Sequence, residues 1–161
     1  MDQVYSKNIG ALVTPREGSL AQTATAGSTG DNTTHTGIAI DREELSSTYG
    51  GMPLSMVASV VYDATLASGS GFAVQVLVLD SADNSSFANY ASNSSSSVTV
   101  ATGVSGGGVS SGIVNLAVNL SSARRYIRID HIPRLLRGGT DTSVTHAVAV
   151  MGGMDRLPAP A

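Results

Sequence analysis

Residues 72–80, FAVQVLVLD, are apolar on both sides of a two-residue alternation. Phe72, Val74, Val76 and Val78 share one face of a strand and Ala73, Gln75, Leu77 and Leu79 the other, because successive strand side chains point to opposite sides. A strand with two apolar faces is expected to sit centrally in a sheet, with one face on the core and the other covered by an arm, a loop or another subunit. Its neighbours in sequence fit that setting. LSMVASVVYD (54–63) is rich in β-branched residues and leads through the turn-forming SGSG (68–71) into it, and DSADNSSFANY (80–90) turns the chain back out.

Further strands are read at VTVAT (98–102), at IVNLAVNL (113–120), where Val114, Leu116, Val118 and Leu120 alternate with polar or small residues, at ARRYIRIDHIP (123–133) and at SVTHAVAVM (143–151). Pro133 is expected to end the third of these because it has no N–H for a ladder. Gly152 and Gly153 are expected to close the last. The Ser/Gly-rich stretch 92–112 reads as surface loops around the short VTVAT strand. Only REELS (42–46) has helical potential, one turn long. The fold class is therefore all-β, an antiparallel β-sandwich or jelly roll. Residues 1–37 show no sustained period and read as an extended N-terminal arm, 38–151 as the sandwich domain and 152–161 as a C-terminal tail.

A chain of 161 residues suits one domain. Charged residues make up 13% of it, against about 25% in an ordinary soluble domain. Its net charge is −3 and no basic stripe runs along it, so neither nucleic acid nor a membrane surface is an expected partner. No apolar run is long enough to span a bilayer, and the first residues lack a signal peptide's pattern, so the chain reads as mature as written. Without cysteine, disulfides, thiol catalysis and Cys-based zinc sites are excluded, as befits a reducing cytosol.

The residues with chemical potential read mainly as structural. His35, His131 and His146 are isolated in sequence, and His146 groups by parity with Val144, Val148 and Val150, as a hydrogen-bonded structural histidine would. The many serines read as loop composition. Asp80, Asp83 and Asn84 resemble an oxygen-rich calcium loop only faintly and read as a turn. No catalytic residue, metal or cofactor is expected, and a hydrolase is the remotest reading. The charge is unevenly placed: residues 121–161 hold six Arg against three Asp, and residues 1–120 hold three basic residues against nine acids. Arg makes planar, bidentate bonds and suits interfaces better than Lys.

Three segments, VQVLVLDSADNSSFANYA, VNLAVNLSSARRYIRIDHIPRL and SVTHAVAVMGGMDRLPA, carry a D-S-x-D-x-S-x-F turn, an R-Y-I-R-I strand and a G-G-x-D-R-L-P tail. In these the chain resembles small structural proteins encoded among the head genes of tailed bacteriophages, of the capsid decoration or cement type. The resemblance covers residues 72–161 and not 1–37. It implies a non-enzymatic virion protein on the outer capsid surface, assembled in the host cytoplasm, that clamps major capsid protein subunits and forms a homotrimer with extended N-terminal arms. The expected partner interface is the arm, through Val4, Tyr5, Ile9, Leu12, Val13 and Leu20, with the Arg-rich face of Arg124, Arg125, Arg128, Arg134 and Arg137. Two other readings fit the composition: a sugar- or receptor-binding sandwich of a tail or fibre with loops 80–97 and 103–112 as its rim, and a head–tail connector or tail-tube subunit. Scarce aromatics (five Tyr, two Phe, no Trp) weigh against the first.

Overall fold

A computed structural model describes residues 13–49, 51–90, 97–137 and 139–154. Its elements are β1 (Val13–Glu17), β2 (Gln22–Thr25), β3 (Ile40–Asp41), α1 (Arg42–Tyr49), β4 (Pro53–Leu66), β5 (Gly71–Ser81), β6 (Ala88–Asn89), β7 (Val98–Thr102), β8 (Gly108–Asn119), β9 (Tyr126–Leu135) and β10 (Thr142–Met154). They form two five-stranded sheets in which every strand pairing is antiparallel.

In the first sheet β1 and β2 lie end to end beside β10, followed by β4 and then β8. In the second, β3 lies beside β9, then β5, and β6 and β7 share the far side of β5. An antiparallel bridge between His35 and His131 extends the β3 position backward along β9. Counting end-to-end pieces as one position in chain order, the sheets read 1-8-3-6 and 2-7-4-5. This is the interleaved double Greek key of a jelly roll, so the sandwich expected from the alternation is the observed fold.

The core follows from the pleat. Met56, Ala58, Val60, Tyr62, Ala64 and Leu66 of β4 and Ala147, Ala149 and Met151 of β10 face Phe72, Val74, Val76 and Val78 of β5 and Ile127 and Ile129 of β9, all of them buried. β5 is central, as its two apolar faces require. On β8, Gly112 lies opposite Tyr62. A Cβ there would stand 2.6 Å from the Tyr62 hydroxyl, which donates to the Val100 carbonyl of the other sheet.

Several local expectations need correction. Residues 13–25, expected in the arm, are the outer strand of the chain's own first sheet, because β10 offers an unpaired edge that β1 and β2 complete. Residues 1–12, with Val4, Tyr5, Ile9 and Leu12, lie outside the described residues. Pro133 does not end β9. Its carbonyl accepts from Asn32 N–H, so the missing N–H also faces the 31–35 segment and not the β5 ladder, where Pro is tolerated. Residues 108–112, expected as loop, extend β8 because β4 is long enough to pair with them, from Leu66 opposite Gly108 onward. Gly152 likewise stays within β10, opposite Ser55. The expected helical turn is the longer α1, with Asp41 Oδ1 capping Glu43 N–H at 2.9 Å.

Arg42, the first residue of α1, is 1% exposed. Its guanidinium donates to the carbonyls of Ala123, Arg124, Pro53 and Leu120. Replacing it by Met leaves the buried Pro53 and Leu120 carbonyls unpaired, each costing about 1–3 kcal/mol, and removes two part-buried bonds besides. Arg42→Met is expected to lower unfolding free energy by at least about 3 kcal/mol in guanidinium titration; a loss below about 1 kcal/mol refutes this role.

Candidate functional site

The sandwich presents three features with chemical or binding potential: the arginines around β9, the outer face of the first sheet, and a buried histidine pair.

Alternation puts Arg128 and Arg134 on the outer side of β9, with Arg124 and Arg125 just before the strand and Arg137 just after it. They do not form one free cationic face. Arg125 bonds both oxygens of Asp41, at 3.0 and 2.7 Å, and reaches Glu43 at 2.7 Å. Asp41 is held below the usual carboxylate range mainly by the Arg125 hydrogen bonds, and Arg125 is raised by the same contact. Arg128 makes a fork to Asp130 at 2.8 and 2.9 Å and lies 4.4 Å over the Phe87 ring. These two side chains clamp their own surface. Arg124, Arg134 and Arg137 are exposed, and no ion pair is recorded for them among the described residues.

The outer face of the first sheet is unusually apolar. Val144, Val148 and Val150 of β10, Val57 and Val61 of β4, and Val109, Ile113 and Ala117 of β8 all point outward. An open hollow of about 690 Å³ at one end is lined by Val13, Val57, Ala117, Val150 and neighbours. Of the expected interface residues, Val13 thus borders this hollow. Leu20 is 65% exposed, in the break between β1 and β2.

Inside the sandwich, His35 and His131 meet edge to face with ring centres 5.1 Å apart. They pair backbone to backbone, and Thr145 Oγ1 lies 2.8 Å from His131 Nε2 and 3.4 Å from His35 Nδ1. The sequence separates these histidines by almost the whole sandwich, so spacing within one element gave no sign of the pair. His131 is the buried, hydrogen-bonded histidine; His146 stands half-buried on the outer face, opposite Val61. Burial pushes His131 down to about 4, reinforced by the charge of His35 and His146, and burial also lowers His35. Both imidazoles are neutral near pH 7, and among the described residues neither has a carboxylate partner to make it a base relay. No group of three potential metal ligands occurs among the described residues. The 80–87 loop is a turn: Asp83 accepts from Ser85 and Ser86 N–H, both at 2.9 Å, and from the Ser81 hydroxyl, which together hold it well below the usual carboxylate range, while Asn84 adopts a left-handed φ of 60°.

No family model matches the sequence, and no curated protein matches it. Among solved structures, the chain is similar to the VP2 subviral particle of infectious bursal disease virus, at 11% identity over 91% of this chain and 34% of that one, with a TM-score of 0.45. The Gx strain of the same virus gives 8% identity, 89% and 32% coverage and a TM-score of 0.46. The disulfide-linked pili of Bacillus endospore appendages give 11% identity, 89% and 90% coverage and a TM-score of 0.34. The chain spans about a third of the length of the viral proteins it matches.

An unfolded imidazole takes its proton near 6.5 and folded His131 only near 4. Between those values the unfolded state binds more protons, so stability present above pH 6.5 is lost as pH falls and levels off below about 4. Denaturant titrations across this window should lose about 3 kcal/mol through His131. His131→Gln should flatten that slope; an equal slope in the variant refutes the assignment.

Proposed function

We propose that this jelly roll is a non-enzymatic structural subunit of a virus particle, a decoration or cement protein that binds the outer surface of a phage head and stabilises it. Its partners are the major capsid protein and further copies of itself, three in the reading that the head-gene resemblance gives. The observation that carries this reading is the apolar outer face of the first sheet, with Val57, Val61, Val148, Val150 and Ile113 in one patch where an isolated sandwich would be polar. The chemistry of the buried groups supports it too: the bonds of His131, Thr145 and Arg42 hold backbone or one another. Within the Arg set, Arg124, Arg134 and Arg137 are the contacts available to an acidic neighbour, Arg125 and Arg128 being engaged at home. In this reading residues 1–12 supply the arm; Val13, which follows them, borders the hollow.

The test is mass spectrometry of purified particles from the source, counting this chain against the major shell protein, with electron microscopy of the shell. Near-equal copy number and density outside the shell are expected. The copy number of a single ring would move the protein to a connector or tail tube, and absence from particles overturns the reading. Deletion of residues 1–12, which spares β1, and the double substitution Arg134→Glu with Arg137→Glu are each expected to weaken shell binding about tenfold or more with the fold retained; undiminished binding by both refutes these contacts.

A further inference from the structure

A jelly roll exposes four strand edges, and three of them here are blunted. The β1–β2 edge carries Pro15, Arg16 and Glu17 and breaks where Gly18 and Ser19 N–H both turn to the Ala147 carbonyl. The edge beside β9 has only the two residues of β3 and an isolated bridge, and Asp41 there is tied to Arg125. The edge beside β5 is split into β6 and β7, with a register shift at Phe72/Ala73. Short strands, Pro, charges and bulges are the usual devices that stop an edge from pairing with another chain.

β8 has none of them. Twelve residues, GVSSGIVNLAVN, run unbroken along β4, and among the described residues β4 is the strand they pair with. The strand contains no charged residue and no proline. Outward, Val109 is 70% and Ile113 56% exposed; inward, Val114 and Leu116 only partly join the core. We infer that β8 is a pairing edge for the β8 of a second copy of this chain, antiparallel about a two-fold axis, continuing the first sheet from one molecule into the next.

The second copy is favoured because a strand that pairs with itself sets each residue near its own kind, and like charges placed opposite one another are destabilising. An uncharged strand carries no such cost. The alternation restricts the axis to an outward residue, and among these an axis at Ile113 keeps most of the strand paired. With Ile113 opposite Ile113, the outward pairs are Val109 with Ala117 and Ser111 with Asn115, apolar against apolar and polar against polar. Inward, Gly112 meets Val114 and Ser110 meets Leu116, small against large. Moving the axis one residue to Val114 sets Ile113 against Asn115 and Val109 against Asn119, a mismatch. In a trimeric protein this two-fold would join one trimer to the next. The inference stands on the edge itself and not on the virion reading.

The experiment compares the mass of the full chain by light scattering with that of Ile113→Lys, which sets two ammonium groups face to face only in the pair. Because the chain has no cysteine, Ile113→Cys adds a second measurement: opposed Cα atoms of an antiparallel pair lie about 4.5–5.5 Å apart, within the span a disulfide bridges on oxidation to a linked dimer. Val57→Cys, on the outer face of β4, is the control. The wild-type mass is expected to be twice that of Ile113→Lys, with Ile113→Cys cross-linking and Val57→Cys not. Equal masses up to about 100 μM, or cross-linking at 113 no faster than at 57, overturns the proposal. A monomer counted in virus particles would refute the edge pairing alone, and a two-fold dimer absent from them would refute the virion reading alone.

Discussion

A jelly roll must carry its chain repeatedly from one sheet to the other, and at one end of this sandwich the crossings converge on the guanidinium of Arg42. Two of the carbonyls it holds flank the first sheet, Pro53 where β4 begins and Leu120 just after β8; the other two, Ala123 and Arg124, lead into β9 of the second. The Arg42 N–H also donates to the Arg125 carbonyl. A planar cation with five donors suits this place because several carbonyls point into one buried corner, and an apolar side chain would leave them unpaired. Opposite, the polarity reverses. Asp141 accepts Ala67 N–H at 2.7 Å just past the end of β4, and Asp31 accepts Leu135 N–H at 2.9 Å at the end of β9. One end is closed by a cation gathering carbonyls and the other by carboxylates gathering amides, so several of the chain's few charges are spent on its own backbone.

The strands were legible because their signal is local. An alternation such as that of 113–120 or 143–151 fixes both the strand and the face it buries, and the two-sided apolarity of 72–80 placed β5 at the centre of its sheet. What stayed hidden depends on partners distant in sequence. Nothing in VTPRE or QTAT announces a strand; they become one because β10 has an edge to fill. Pro133 reads as a stop until the side on which its backbone groups point is known. The His35–His131 contact joins a loop-like stretch to a strand, a pairing that spacing within one element does not contain. The arginines were found, but their availability was not legible, since Asp41 and Glu43 lie far from Arg125 in sequence and adjacent to it in space.

The surface follows from the same economy of charge. With Arg42, Asp31, Asp141 and Asp83 bonding backbone and Arg125 and Arg128 in local clamps, the outer face of the first sheet is left mostly to Val, Ile, Ala, Ser and Asn, with Asp63, Thr65 and His146 among them. Such side chains have few rotamers to lose on contact, whereas a Lys-rich surface gives up more entropy for each residue it orders. The cost is reduced protection against unwanted pairing, and the molecule meets it unevenly. Three edges carry bulges, breaks or charges, while the fourth runs unbroken and uncharged for its whole length. A fold that needed only to remain alone in solution gains nothing by guarding three edges and leaving the longest one bare. The asymmetry is coherent when that edge has a fixed neighbour, because the features that would block chance pairing there would block the intended pairing as well.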